Sequence, residues 1–71
     1  MTQQDLEKLR DKLPPKWADK VAERKEDCSP AYARMVLAGT RNNIDVLNLI
    51  IEVAKEYQDE LKAMQTEIAK L

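Results

Sequence analysis

The chain has 71 residues but no histidine, no phenylalanine, a single glycine and a single cysteine. Each shortage closes a class of chemistry. Without histidine there is no His-based catalytic dyad or triad, and one cysteine with no histidine cannot anchor an ordinary zinc site. One cysteine also cannot close an intrachain disulfide. Cys28 is expected to pack as a small apolar group, with a reactive thiol or an intermolecular bridge as alternatives. A phosphate-cradling loop needs several glycines for tight turns and close backbone approach, and Gly39 stands alone. Apolar runs stay short, as at Leu49-Ile50-Ile51, far below the roughly 20 residues that span a bilayer. No secretory signal is visible near the N-terminus. These absences predict a cytoplasmic protein that is not an enzyme and needs no metal, cofactor or membrane, and no small-molecule ligand is evident.

What the chain does have is charge, unevenly spread. The formal net charge is −1. Between positions 8 and 25 lie seven basic residues (Lys8, Arg10, Lys12, Lys16, Lys20, Arg24, Lys25) against three acidic ones (Asp11, Asp19, Glu23). Between positions 42 and 71 the balance reverses, with three basic and six acidic residues. A basic end joined to an acidic end suits a protein whose first half meets phosphates while the second meets solvent or protein. A mixed, solvated surface gives a similar pattern.

The periodicity predicts an all-α protein of four helices. Thr2-Gln3-Gln4-Asp5 has the form of a capping box, and the helix after it buries Leu6, Leu9 and Leu13. Pro14-Pro15 ends that helix and can open the next, with Pro15 near the first helical position. The second helix runs to about Lys25 and presents Trp17, Ala18, Val21 and Ala22 inward. Trp17 is a core candidate, with a backbone-gripping exposed tryptophan as the sharper alternative.

The third helix carries its own start and stop. The Ser29 hydroxyl can accept from free N–H groups of the first turn, Pro30 fits the first helical position, and Gly39 can close the end in left-handed geometry. Tyr32, Ala33, Val36 and Leu37 form one apolar face, while Arg34, Met35 and Ala38 point elsewhere. Two short helices across a tight polar break suggest a helix-turn-helix, which lays its second helix in the DNA major groove.

Residues Trp17 to Arg41 resemble the helix-turn-helix of phage repressors, Cro-like proteins and other small bacterial regulators. The matching residues are Val21-Ala22, Ser29, Ala33 and Val36-Leu37-Ala38-Gly39. In that family an alanine on the first helix packs under the second, a serine opens the recognition helix and a hydrophobic-Leu-x-Gly segment closes it. Lys25-Glu26-Asp27-Cys28 departs from the pattern. It is one residue longer than the usual turn, with Cys28 where an aliphatic residue stands. The resemblance implies that Ser29, Pro30, Ala31, Arg34 and Met35 face base edges. Arg34 is the expected base reader, because its planar fork can bridge guanine O6 and N7. Lys16, Trp17, Lys20, Thr40, Arg41, Asn42 and Asn43 flank that surface and suit phosphates.

The fourth helix is expected to start at an Asn42 cap and to run without Gly or Pro through Leu71. Leu47, Ile50, Ala54, Tyr57, Leu61, Met64, Ile68 and Leu71 recur along it at alternating spacings of three and four, a heptad seam. The off-seam Val46, Leu49, Ile51 and Val53 would pack on the small domain, leaving the remainder to project and pair with another chain. Glu60 and Glu67 face Gln58 and Gln65 in a parallel pair, whereas antiparallel pairing could bring the glutamates together, so charge favours parallel. Higher oligomers stay open.

The sequence therefore predicts a helix-turn-helix head over residues 1–43 and a dimerisation helix over residues 44–71. The expected function is that of a homodimeric, sequence-specific double-stranded DNA-binding transcriptional regulator. The alternatives are a helix-turn-helix component of a larger DNA-processing or packaging assembly, and a coiled-coil adaptor without DNA binding.

Overall fold

The structure, a computed structural model, describes residues 3–71. Within them lie four helices and no strand: α1 (Gln3–Asp11), α2 (Trp17–Arg24), α3 (Pro30–Ala38) and α4 (Ile44–Ala69). Three short helices followed by one long helix is the arrangement the periodicity predicts. Thr2, half of the expected capping box, lies outside the described residues.

α1 buries Leu9 and leans the half-buried Leu6 on the core. Its end tightens before the prolines: the Lys12 N–H donates to the Leu9 carbonyl at 3.1 Å and the Leu13 N–H to the Arg10 carbonyl at 3.2 Å. Pro14 is buried. The next helix does not start at Pro15 but at Trp17. Between them Lys16 adopts φ 61° and ψ 26°, the left-handed region, and turns the chain into α2. A non-glycine residue there costs about 1–2 kcal/mol.

The core is one cluster. Ala18 and Val21 of α2, Ala33, Val36 and Leu37 of α3, and Val46, Ile50, Val53 and Ala54 of α4 are buried together with Leu9 and Cys28. Cys28 thus fills the aliphatic place in the turn, and its Sγ–H reaches the Ser29 carbonyl at 3.4 Å. Helix α4 therefore contributes four residues to the core as well as reaching beyond it.

α4 begins one residue later than expected. Asn43, extended at φ −153°, is its cap, and its Oδ1 accepts from the Val46 N–H at 3.1 Å. Asn43 wins over Asn42 because its side chain does two jobs: Nδ2 also donates to the Tyr32 hydroxyl at 3.3 Å, tying α3 to α4. Further along, Gln58 Nε2 donates to the Lys12 carbonyl at 3.1 Å and marks the far edge of the head. Every residue from Lys62 onward is exposed. At 1.5 Å per residue that overhang is about 15 Å long. It stretches the molecule to 45 Å against 27 and 16 Å in its other dimensions. No described helix is long and apolar enough to cross a membrane.

Candidate nucleic-acid interface

Helix α3 is fixed at both ends by its own residues. The Tyr32 N–H donates to Ser29 Oγ at 3.1 Å, and Pro30 takes the first helical position. At the other end Gly39 sits at φ 86°, the Gly39 N–H donates to the Val36 carbonyl at 3.2 Å, and the Thr40 N–H to the Met35 carbonyl at 3.1 Å. That pair of bonds is a Schellman closure, and the backbone conformation it needs is one that glycine adopts without strain. Because both ends are capped locally, the helix holds its shape without help from its outer face.

The outer face is free as a result. Ala33, Val36 and Leu37 point into the core, while Ser29, Ala31, Arg34, Met35 and Ala38 are exposed and Pro30 is half-buried. Four of the five residues expected to face bases, Ser29, Ala31, Arg34 and Met35, are therefore open to solvent, and Pro30 is partly covered.

The flanking residues divide into two kinds. Lys16 and Lys20 are exposed at the start of α2, and Arg41 and Asn42 are exposed beyond α3. Two others have structural duties. Asn43 is spent on the α4 cap and the Tyr32 hydroxyl. Thr40 Oγ1 donates to the Met35 carbonyl at 3.1 Å and adds a third bond to the helix end. Trp17 is half-buried, so it both leans on the core and keeps an open edge.

That edge belongs to a shallow cleft lined by Arg10, Trp17, Arg34, Leu37 and Ala38. Two guanidinium groups from different helices border it, and no carboxylate does. Arg10 is a candidate the sequence did not disclose. It lies 24 positions from Arg34, on a helix whose spacing shows only which side is buried. The packing of α1 on α3 alone brings the two together.

Arg24 behaves differently from the other basic residues. It hydrogen-bonds Glu56 and lies 4.0 Å from Glu52, one helical turn earlier on α4. The bond to Glu56 raises its pKa above the ordinary arginine value, so it stays charged and internally paired. This pair clips α2 to α4 and removes one cation from the surface offered to phosphates. Being solvent-exposed, it adds little stability.

The heptad seam splits along its length. Ile50 and Ala54 are buried in the chain's own core, and Leu47, Tyr57 and Leu61 are half-buried. Met64, Ile68 and Leu71 are exposed, the first two by 58% and 65%. Only the C-terminal part of the seam is open to another chain.

No family model, curated protein or solved structure matches this chain significantly.

Proposed function

We propose that this protein is a dimeric, sequence-specific regulator that binds double-stranded DNA, with α3 entering the major groove and α4 joining the two copies. One observation carries the reading. A short helix capped at both ends presents an exposed ridge with an arginine at its edge, and solvent-exposed cations lie on both sides of it. Arg34 would read a base, with Ala31 and Met35 beside it for apolar contact with a thymine methyl. Lys16, Lys20 and Arg41 would hold phosphates and fix the register, and Arg10 joins them from α1. A two-fold dimer would then prefer a roughly palindromic site with half-sites about one helical turn apart.

Fluorescence anisotropy with duplex DNA, together with sizing by light scattering, tests this directly. Affinity should fall steeply with salt, because each neutralised phosphate releases condensed counterions. Replacing Lys16, Lys20, Arg41 or Arg10 by Ala should weaken all sequences alike and flatten the salt slope by about one unit per contact. No association with duplex DNA at about 50 mM salt, a low-salt condition that favours phosphate contacts, would overturn the reading. A ring of many copies would point to a packaging assembly instead.

Specificity should respond to a different residue. Arg34→Ala should cost roughly 1–3 kcal/mol on the preferred site and relax preference at one base pair per half-site. Folding should persist, since Arg34 is exposed. A variant binding its best site as tightly as the parent would reduce Arg34 to a surface charge.

A further inference from the structure

The apolar stripe on α4 serves two halves of the helix with one face. Ile50 and Ile68 are 18 residues apart, five full turns at 3.6 residues each, so they point the same way. Ile50 is fully buried beneath the helices of its own head, whereas Ile68 is exposed. The head therefore sits over the seam at Ile50 and Ala54, Leu47, Tyr57 and Leu61 are half-buried at its edges, and the same strip is exposed from Met64 onward.

This seat decides how two copies can meet. A coiled-coil partner lies with its axis about 8–10 Å away on the seam side. In a parallel, in-register pair that volume beside residues 46 to 54 would have to hold both heads and the partner's helix at once. To avoid the collision the helices would have to splay far beyond the about 20° crossing of such packing. Reversing one helix removes the conflict. Each overhang then lies against the other's overhang, and each head sits past the end of its partner's helix.

We propose that the segment from Tyr57 to Leu71 pairs with the same segment of a second copy in antiparallel orientation, about a two-fold axis near Met64. The proposal rests on the self-association through α4 in the reading above and not on its DNA contacts. Met64 meets the partner's Met64, Leu61 and Ile68 lie against the partner's Ile68 and the partner's Leu61, and Leu71 reaches the partner's Tyr57, so the apolar strip exposed on each copy is covered by the strip of the other. The stripe is an apolar two-in-seven pattern, which calls for another helix of the same kind, and a second copy supplies one. Charge opposes the arrangement weakly. Glu60 and Glu67 of the two chains come closer than in a parallel pair, but they are exposed and screened by salt. A screened surface repulsion yields to a backbone collision. The heads, seated near Ile50, then stand roughly 40 Å apart by the 1.5 Å rise, close to one turn of DNA.

The orientation is read by one distance. A spin label on Asp45→Cys, in a Cys28→Ala background, marks the start of α4, where Asp45 is exposed. Antiparallel pairing about Met64 puts the two labels roughly 55 Å apart. Parallel pairing puts them on the order of 20 Å apart. Circular dichroism on the labelled chain verifies the fold, and the same measurement with the label on exposed Asn48 should give a distance shorter by roughly 9 Å. A single long distance, lost together with the dimer in Met64→Glu/Ile68→Glu, is the expected result. Either a short distance or a long one that persists in the double variant overturns the proposal. A monomer at micromolar concentration overturns it together with self-association. Anisotropy with duplex DNA on the same sample reports separately whether the DNA reading stands.

Discussion

A chain ending at Gln58 should be a folded monomer at micromolar concentration. Every buried apolar residue of the core lies at or before Ala54, and the Gln58 bond to Lys12 is kept, so the head retains its packing. What leaves is Leu61, Met64, Ile68 and Leu71, of which the last three are exposed in the isolated chain. Burying a side chain of this kind contributes on the order of 1.5–3 kcal/mol, so losing four from each chain removes most of what could hold a pair. DNA binding should change in kind. Weak, salt-sensitive association with any duplex should remain, because Lys16, Lys20 and Arg41 lie in the retained part. Affinity for a two-half-site operator should drop by roughly 10²–10⁴, the avidity of linked modules. Light scattering and anisotropy on one sample measure both. A truncated chain that stays dimeric and binds its site undiminished would place dimerisation within the head.

The third helix was legible in the sequence almost to the residue, and the reason is that its signals are local. Ser29, Pro30 and Gly39 each act on backbone groups within a few positions of themselves, and no distant contact overrides them. α4 starts one residue after the Asn42 cap that the sequence predicts, because Asn42 and Asn43 are equal as caps on local grounds. Tyr32, brought near by the fold, breaks the tie. The start of α2 moved from Pro15 to Trp17 for a similar reason. Proline merely permits a helix start, whereas the burial of Pro14 and the left-handed turn at Lys16 decide where it happens. Arg10 could not be found as a neighbour of Arg34, since which helix lies beside α3 is a tertiary fact. The heptad spacing runs on through residues that the structure buries in the head and residues that it leaves exposed. Periodicity gives the direction a side chain faces but not what stands in front of it, so Ile50 and Ile68 were indistinguishable.

That indistinguishable pair gives the sharpest expected contrast. Ile50→Ala and Ile68→Ala remove the same atoms from the same face of one helix, five turns apart. Ile50 is fully buried in the core cluster, so its truncation loses transfer energy and leaves a cavity, costing about 2–5 kcal/mol. A 71-residue domain rarely holds more than about 3–5 kcal/mol from a single core, and Ile50→Ala should therefore be largely unfolded at 37 °C. Ile68 is 65% exposed in the isolated chain, so its truncation should leave monomer stability within about 0.5 kcal/mol. Its cost should appear only on assembly. Two side chains per dimer go, and the dissociation constant should rise at least tenfold, or about 1.4 kcal/mol. Urea unfolding at a concentration where the parent is monomeric separates the two effects, and a dilution series read by light scattering supplies the second. Equal unfolding midpoints for the two variants would show that the overhang is folded back on the head in solution, and the open seam would then have no partner to find.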